Sequence, residues 1–241
     1  MSRVLTCRFI GRLGNNMFQA AATMGAAIKY GLPWHVPSSL PQESPHFHNF
    51  FPGWPKGGQG FPPLNRWDGK DFNYTPIPNG SYCLVGFFQS KKYFEHCEDE
   101  VKARFRLDDH QELRDCVSIH VRRGDYVQHS ADFPPITTTY LHKAMELFKG
   151  RKFLVFSDDL QWCTNNVPKD YGAVEVKRGN EFQDLSMMAS CGDHIIANST
   201  FSWWAAYLGK NPERRIISPS ERQWFGPETH CLFSLPLPRN L

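Results

Sequence analysis

The chain has 241 residues, 41% of them hydrophobic, and its 27 Lys and Arg residues nearly balance its 24 Asp and Glu residues. No apolar run approaches the length that crosses a bilayer, so no transmembrane segment is expected. An aromatic share of 14% argues against intrinsic disorder, and a net charge of +3 is too small to indicate a nucleic-acid partner.

The cysteines favour a reducing compartment. There are seven, an odd number, with no C-x-x-C pair among them. This pattern argues against a disulfide scaffold, and Cys7, Cys116 and Cys191 lie in or beside apolar segments where a free cysteine behaves as a small hydrophobe. The N-terminus carries neither a signal-peptide apolar region nor a cleavage site, so the expected location is cytoplasmic.

The first predicted elements form the start of an α/β unit. A strand is predicted over Val4–Ile10, a glycine-bearing turn over 11–16, and a helix over Met17–Lys29 that ends at Gly31. The turn lacks the third glycine of a dinucleotide-binding fingerprint and the Lys-Ser/Thr of a P-loop, so it is weak support for nucleotide binding. Asn15 or Asn16 as the helix N-cap is the simplest interpretation of this turn.

Residues 37–78 form a predicted long loop that contains nine of the 18 prolines. Loops of this length are often functional, which makes this one a candidate for acceptor contact, and a merely packed excursion is the alternative. His46 and His48 have the look of a metal pair, but no third ligand is spaced to join them, so no metal site is predicted.

A strand over Tyr82–Phe88 and an amphipathic helix over Lys91–Phe105 follow the loop. The apolar pattern is then interrupted at 106–114. We therefore expect a first domain of residues 1–110 and a second of residues 111–241.

The second half alternates strands with helices. Strands are predicted over Cys116–Val121, Lys152–Phe156, Ala173–Val176, His194–Ala197 and Arg215–Ser218, and helices over Thr137–Phe148, Glu181–Ala189 and Phe201–Leu208. Such alternation predicts an α/β fold with a mostly parallel sheet and ligand sites at the carboxyl ends of its strands.

The loop after the first of these strands carries Arg122 and Arg123. Two adjacent arginines at the end of a central strand need an anion, and a guanidinium matches phosphate oxygens bidentately. We expect these two arginines to form a local positive patch that binds a phosphate. The alternative is that Arg122 or Arg123 forms an internal ion pair with Asp125.

Two further loops are candidate parts of the same site. Asp158 and Asp159 follow the second strand, where carboxylates most often cap the next helix, although they can also accept hydrogen bonds from guanine or ribose. The third loop, 198–204, opens a helix whose hydroxyls and free N–H groups suit an anion, while Trp203 and Trp204 are expected in the core. Phe201 could stack on a base, and Cys191 and His194 are interpreted as structural.

Four segments together resemble the glycosyltransferase family 11 fucosyltransferases, whose best-known members are α-1,2-fucosyltransferases. They are GRLGNNMFQAA, SIHVRRGDY, the FSDD loop and DLSMMASCGDHIIANSTFSWWAAYLG, and they span nearly the whole chain in the family's order. Asn16 departs from the glutamine that the family usually has at this position. The resemblance implies two Rossmann-like domains facing across a cleft, the GT-B type, with GDP-fucose held mainly by the second.

The resemblance also implies roles for particular residues. It implies that Arg122 contacts the β-phosphate and that Asp158 or Asp159 contacts guanosine. It also implies that Arg12 and Asn15 face the sugar. The other implied GDP-fucose contacts are His120, Arg123, Ser199, Thr200, Phe201 and Ser202.

The expected reaction is an inverting transfer of L-fucose from GDP-fucose to a hydroxyl, O2, of a galactose-type acceptor, without metal or another cofactor. Asp125 is the first candidate for the base, and an ion pair with Arg123 is its alternative role. Transfer with another linkage, such as α-1,3, or from another GDP-sugar is the alternative within the enzyme class. A non-catalytic glycan-binding module is the alternative from another class. The sequence leaves the acceptor and the oligomeric state open.

Overall fold

The computed structural model describes residues 3–40, 42, 44–57, 65–69, 74–220 and 224, together with the backbone of 239–240. Parts of the proline-rich loop and Cys231 lie outside these residues. The chain divides into two compact units, the first ending at Arg106 and the second beginning at Leu107. This division falls at the start of the segment where the apolar sequence pattern is interrupted.

The first unit is built on a small parallel sheet. In chain order its described elements are β1 (Leu5–Cys7), α1 (Leu13–Tyr30), α2 (Phe47–Phe50), β2 (Asn65–Asp68), β3 (Tyr82–Val85) and α3 (Glu98–Arg104). The strand order is β1-β3-β2, with both pairings parallel. Parallel pairing brings the carboxyl ends of β1 and β3 to one edge of this sheet.

Helix α1 begins at Leu13, four residues before the predicted start, and ends at Gly31 as predicted. Gly31 has φ 62°, the left-handed conformation that ends many helices and suits glycine. Within the helix, a Cβ on Gly25 would lie 2.2 Å from the carbonyl oxygen of Tyr93, so glycine permits close packing there. The N-cap is Arg12, without a side-chain hydrogen bond, so the interpretation of Asn15 or Asn16 as the cap is wrong.

The helix predicted over Lys91–Phe105 is only partly formed. Two short 3-10 turns, Lys91–Tyr93 and Glu95–Cys97, precede α3. Tyr93 and Phe94 are adjacent and both buried, and Phe94 contacts Phe18 at 6.1 Å between ring centroids. The backbone leaves the helical conformation at Phe94 and Cys97, where φ is −142° and −136°, and this divides the segment into separate turns.

The described part of the proline-rich loop between 44 and 57 is packed rather than extended into solvent. Phe47, Phe51 and Trp54 are buried and form an aromatic cluster with Phe105, whose ring lies 4.7 Å from that of Trp54. The packed alternative therefore describes this stretch. β2, which lies further along the same loop, was not predicted.

The second unit is a larger parallel α/β layer structure. Its elements are β4 (Cys116–Val121), α4 (Gly124–Gln128), α5 (Thr138–Glu146), β5 (Lys152–Ser157), α6 (Leu160–Asn166), β6 (Val174–Val176), α7 (Glu181–Ser190), β7 (Asp193–Ile195), α8 (Thr200–Tyr207), β8 (Ile216–Ser218) and β9 (Arg239–Asn240). The predicted α/β fold with a parallel sheet is confirmed, and the bounds of β4 agree with the prediction residue for residue.

The strand order of this sheet is β6-β5-β4-β7-β8-β9, and all described pairings are parallel. Counted within the unit, this is the order 3-2-1-4-5-6 of dinucleotide-binding Rossmann folds. The order reverses between β4 and β7, which makes the loops after these strands the expected ligand site.

The two faces of β4 differ in chemistry. Val117, Ile119 and Val121 face a hydrophobic core that α5 and α6 complete, for example through Leu141 and Cys163. The alternate residues Ser118 and His120 are also buried but polar, and they belong to the opposite face. Polar side chains therefore lead along one face of β4 toward its carboxyl end.

Candidate functional site

Three loops of the second unit start side by side, because β4 pairs with both β5 and β7. Arg122 follows β4, Asp158 follows β5 and Ile196 follows β7. The structure thus brings together, at one edge of one sheet, the three loops in which the sequence predicted phosphate and guanosine contacts.

Arg122 has a side chain that is only 11% exposed, and two carboxylates hold it. Its Nη1 lies 2.5 Å from Oδ2 of Asp158, and its Nη2 donates to Oδ1 of Asp125. A guanidinium with this little exposure requires such partners, because an unpaired charge is costly to bury. The ion pair left open by the sequence is the observed arrangement, and it joins Asp125 to Arg122 rather than to Arg123.

Gly124 allows Asp158 to approach Arg122. A Cβ on Gly124 would lie 2.5 Å from Oδ2 of Asp158, the oxygen that binds the guanidinium. A larger residue here would displace the carboxylate. The glycine of the R-R-G-D segment is therefore part of the ion-pair geometry.

Arg123 also has its partners within the second unit. Its guanidinium lies 4.2 Å from the ring centroid of Trp162, and its Nε donates to Oδ2 of Asp159 at 3.3 Å. Its backbone N–H donates to Oδ1 of Asp158 at 2.9 Å. The loop after β4 is thereby fastened to the loop after β5 by both main-chain and side-chain contacts.

Asp159 has the capping role that is commonest for such a residue. Its Oδ1 accepts from the backbone N–H of Trp162 at 3.0 Å, which places Asp159 at the N-cap of α6. Ser157 fixes the turn before it, since Oγ of Ser157 accepts from the backbone N–H of Asp159 at 2.9 Å.

The cluster carries two arginines and three carboxylates, Asp125, Asp158 and Asp159. The expectation that Arg122 and Arg123 form a local positive patch is therefore wrong for the chain as it stands, because carboxylates more than balance them. An anion bound here has to exchange with a carboxylate that already holds a guanidinium. Asp125 is the more accessible candidate, with a side chain 58% exposed against 25% for Asp158.

His120 lies at the end of β4 on its polar face and is buried. Burial lowers its pKa to about 4, with Asp158 acting in the opposite direction and Arg122 in the same one. The ring is thus neutral near pH 7, its Nδ1 has no hydrogen-bond partner, and it lies 5.5 Å from the ring of Phe201. The loops after β4 and β7 therefore bring His120 and the partly exposed Phe201 together.

The loop after β7 is fixed by hydroxyl groups. Ser199 is the N-cap of α8, and its Oγ accepts from the backbone N–H of Phe201 at 3.4 Å. Ser202 is buried and donates to the carbonyl oxygens of Ala197 and Ser199 at 3.4 and 3.3 Å. Thr200 is buried as the first residue of the helix. The hydroxyl of Ser202 thus stabilises the loop by binding carbonyl groups of the loop backbone.

Trp203 and Trp204 are fully buried, which confirms their expected place in the core. The ring of Trp203 stacks on Tyr207 at 4.8 Å between centroids. These rings hold α8, and with it the backbone N–H groups of its first turn, in a fixed place.

Tyr126 is a site residue that the sequence analysis missed. Its hydroxyl donates to the carbonyl oxygen of Asn198 at 3.0 Å, and the guanidinium of Arg122 lies 5.3 Å from its ring centroid. Tyr126 therefore links the loops after β4 and β7. Its position directly after R-R-G-D was the available signal.

Asp184 is a further partly buried acid of the second unit, at a position in the first turn of a helix where acids have an ordinary structural explanation. It lies in the first turn of α7, and its Oδ1 has no hydrogen-bond partner although it is buried. Burial raises its pKa to about 6, and the neighbouring charge of Glu181 adds to the effect.

His194 is buried inside the sheet layer, in agreement with its structural interpretation. Its Nδ1 is 2.8 Å from Oγ of Ser118 on the neighbouring strand, and burial lowers its pKa to about 3. Cys191 is likewise buried as a free thiol.

Arg12 and Asn15 belong to the first unit, in the loop after β1. Arg12 is exposed, and Asn15 accepts a hydrogen bond from Nε2 of Gln89 at 3.0 Å. Asn16 is fully buried and donates from Nδ2 to the carbonyl oxygens of Ile10 and Gly11 at 3.2 and 3.3 Å. Asn16 thus shapes the turn that presents Arg12 and Asn15.

Metal ligands do not cluster in the part of the chain that the structure describes, where no three His, Cys, Asp or Glu side chains are grouped to hold an ion. His48 is tied to the loop through Nε2, 2.7 Å from the carbonyl oxygen of Pro37. His46 packs on Phe50 with 5.6 Å between ring centroids.

Within the described ranges, no helix combines the length and the hydrophobicity that a membrane span needs.

Comparison with proteins of known sequence gives relatives over much of the chain. An α-1,2-colitosyltransferase of Escherichia coli is 36% identical over 171 residues, which are 62% of this chain and 58% of the relative. The galactoside 2-α-L-fucosyltransferase Sec1 of Mus musculus is 28% identical over 241 residues, covering 85% of this chain and 64% of its own length.

The O-antigen biosynthesis glycosyltransferase WbnK of Escherichia coli is 29% identical over 174 residues, 62% of this chain and 57% of the relative. The chain therefore spans less than two thirds of the length of these curated relatives.

Solved structures of the fucosyltransferase NodZ have a similar fold. One, an α-1,6-fucosyltransferase soaked with GDP-fucose, superposes with a TM-score of 0.53 over 94% of this chain and all of that chain, at 15% identity. Another, from Bradyrhizobium, gives 0.52 over 90% of this chain and 96% of that chain. At this identity the likeness establishes the fold alone.

The sequence model of glycosyl transferase family 11 matches residues 62–224, which include β4, β5, β7 and the three loops that follow them. The match covers more than half of the chain and the whole of the arginine and carboxylate cluster. The chain therefore belongs to glycosyltransferase family 11.

Proposed function

We propose that the chain transfers L-fucose from GDP-fucose to a hydroxyl, O2, of a galactose-type acceptor, with inversion and without a metal ion. Membership of family 11 and the fucosyltransferase relatives support this choice. The observation that carries it is the placement of Arg122, with little exposure, where the strand order reverses, on the loop that Tyr126 links to the loop opening α8. The two units are also what the proposed GT-B arrangement requires.

The donor diphosphate is proposed to bind at Arg122 and the first turn of α8. Negative charge grows on the β-phosphate as the glycosidic bond breaks, and a fixed guanidinium and backbone N–H groups stabilise such charge. Asp158 and Gly124 hold Arg122 in place before the donor arrives. The residues proposed to line the phosphates and base are His120, Ser199, Thr200, Phe201 and Ser202.

Asp125 is proposed to exchange with the phosphate. Its carboxylate occupies Nη2 of Arg122 in the free chain and is mostly exposed, so an incoming phosphate oxygen can replace it there. The released carboxylate is then available to accept the proton of the acceptor hydroxyl. Asp125 would thus neutralise the charge of Arg122 before the donor binds and act as the base afterwards.

Asp158 and Asp159 are proposed guanosine contacts, although both already serve the fold. Asp159 caps α6 and binds Arg123, while Asp158 binds Arg122 and the backbone of Arg123. Arg123 is therefore proposed to support the donor site through these carboxylates. Arg12 and Asn15 of the first unit are proposed to contact the transferred sugar.

The α-1,2-colitosyltransferase of Escherichia coli, which is 36% identical, supports a second candidate for the donor sugar. Colitose is a deoxysugar, so transfer of another deoxysugar from its GDP conjugate is a specific alternative. A change of linkage to α-1,3 and a non-catalytic glycan-binding role are the remaining alternatives.

The test is to incubate the purified chain with GDP-fucose or GDP-colitose and a panel of galactosides, with and without EDTA. We expect a fucosylated galactoside whose new linkage is α-1,2 by NMR, in equal yield with EDTA. Product from GDP-colitose alone would select the second candidate. Binding of galactosides with neither transfer nor donor hydrolysis would indicate the glycan-binding module.

A further inference from the structure

The segment after β3 contains a strained residue. Phe88 has φ 52°, and it is the one non-glycine with positive φ in the described ranges. A residue with a Cβ is disfavoured in this conformation and stays there only when its surroundings hold it. Here the ring is 4% exposed, stacks on Trp67 at 5.9 Å and meets Tyr93 at 5.4 Å.

The turn at Phe88 places Gln89 beside the loop after β1. β1 and β3 are parallel neighbours, so the loops that follow them share one edge of the sheet. Gln89 is 5% exposed, and its Nε2 donates to Oδ1 of Asn15 at 3.0 Å across 74 positions of sequence. A buried side chain on a strained turn thus contacts a residue proposed to meet the sugar.

Stability alone does not account for a glutamine at this position. Oε1 of Gln89 is buried and has no hydrogen-bond partner, which costs free energy that an apolar side chain of similar size would not. The favourable contact is made by the N–H group, toward Asn15. The chemistry of Gln89 therefore serves the carboxamide of Asn15.

The other end of that carboxamide is confined as well. A Cβ on Gly11 would lie 2.6 Å from Nδ2 of Asn15, and Gly11 has φ 74°, so a glycine is required there on two counts. With Oδ1 held by Gln89 and Nδ2 lying over Gly11, the carboxamide of Asn15 is restricted on both sides. Rotation of Asn15 alone by 180° would bring its NH2 against the NH2 of Gln89.

We propose that Gln89 is a positioning residue that fixes the carboxamide of Asn15 in the orientation that binds a sugar hydroxyl. This inference deepens the proposed function and rests on it, because the sugar is the substrate proposed above. The strained turn at Phe88 brings the side chain of Gln89 within hydrogen-bonding distance of Asn15.

The test is Gln89→Met, which keeps the volume and removes both the N–H donor and the unpaired oxygen. We expect kcat/KM for transfer to fall about 10- to 100-fold, because a small misorientation of a binding group has this effect, while the melting temperature does not fall. Gln111→Met, on an exposed glutamine, is the matched control and keeps full activity. Wild-type activity in Gln89→Met, or a loss explained by unfolding, overturns the proposal.

A double-mutant cycle separates positioning from a general structural effect. If Gln89 acts through Asn15, Gln89→Met causes no further loss in an Asn15→Ala background. Independent, multiplying losses from the two substitutions would contradict the proposal.

A second readout does not depend on activity. The side-chain NH2 signals of Asn15 in a proton–nitrogen NMR spectrum are identified by their disappearance in Asn15→Asp. We expect these signals to move in Gln89→Met and to keep their positions in Gln111→Met. Unchanged signals overturn the inference, whereas moved signals in a chain that transfers no sugar mean that the proposed function has failed and the contact stands.

Discussion

Arg122, at the end of β4, binds Asp158, at the end of β5, with Nη1 and Oδ2 2.5 Å apart. The two residues are 36 positions apart in the sequence, and parallel pairing of their strands brings them together. This pair orients the guanidinium that is proposed to meet the donor phosphate. Substitution of either residue leaves the other without this partner, and the resulting loss of stability can be measured.

Replacing Arg122 tests its proposed role at the phosphate. Arg122→Ala is expected to reduce transfer by at least about 100-fold, because it removes a fixed donor to the leaving group. GDP affinity, measured by calorimetry, should fall as well. Arg66→Ala removes an exposed arginine paired with Asp68 and serves as the control for lost positive charge. Near-normal transfer and GDP binding in Arg122→Ala would remove this residue from the donor site.

The two carboxylates that hold Arg122 should differ in their effect on stability. Asp158→Ala removes a largely buried partner and leaves the guanidinium short of a counter-charge, so we expect a loss of about 1–3 kcal/mol in the free energy of unfolding. Asp125→Ala removes an exposed partner and should cost less than about 1 kcal/mol. Urea denaturation of both variants measures the difference. Equal losses, or a greater loss for Asp125→Ala, would contradict the burial argument.

Gly124→Ala should disturb the same pair without removing a charge. The new Cβ would lie 2.5 Å from Oδ2 of Asp158, so the carboxylate has to move away from Arg122. We expect a stability loss of about 1–3 kcal/mol, typical of overpacking, together with reduced transfer. Gly53→Ala, where no atom lies within 4 Å of the new Cβ, is the matched control. A variant at position 124 that behaves like this control would show that the ion pair tolerates displacement.

Acid should destabilise the chain through its buried histidines. The folded-state pKa values of His120 and His194, about 4 and about 3, lie below the ordinary 6.5, so the unfolded chain takes up protons first as the pH falls. Their contribution is complete above pH 6.5 and is lost toward pH 4 and 3, at up to about 1.4 kcal/mol per pH unit for each histidine.

Asp184 acts in the opposite direction over part of this range. Its folded-state pKa, about 6, lies above the ordinary 3.8, so its contribution to stability is complete below pH 3.8 and is lost as the pH rises through 6. Because two histidines favour the folded state at higher pH and only one carboxyl opposes them, the net effect of acidification is a loss of stability. Urea denaturation at pH 7, 6 and 5 should show stability falling, and less steeply in His194→Asn. A flat profile would mean that these rings are not buried as neutral groups.

Much of the second unit was predictable because its segments are regular. β4 carries an apolar β-branched residue at every second position, Val117, Ile119 and Val121, and the glycines at 150 and 209 separate neighbouring elements. β2 was missed because Asn65, Arg66 and Asp68 give it no apolar pattern and its partner strand supplies the pairing. The Lys91–Phe105 helix was overestimated because apolar periodicity does not reveal the non-helical backbone at Phe94 and Cys97.

The candidate site was predictable as a set of loops but not as a network. Arg122, Asp158 and Ser199 each follow a predicted strand, so their location at one sheet edge follows from parallel order. The partners of the arginines do not, because a pairing such as that of Arg123 with Asp159 depends on strand register. Gln89 gave no signal, since its contact with Asn15 depends on the strained turn at Phe88.

The most direct test of the account is to incubate the purified chain with GDP-fucose and lactose, among other galactosides, and to identify the products by mass spectrometry and NMR. The account predicts a singly fucosylated galactoside with the new bond at O2 of galactose, formed equally in EDTA and lost in Arg122→Ala. Donor and acceptors recovered unchanged, or a product that Arg122→Ala forms equally well, would contradict it.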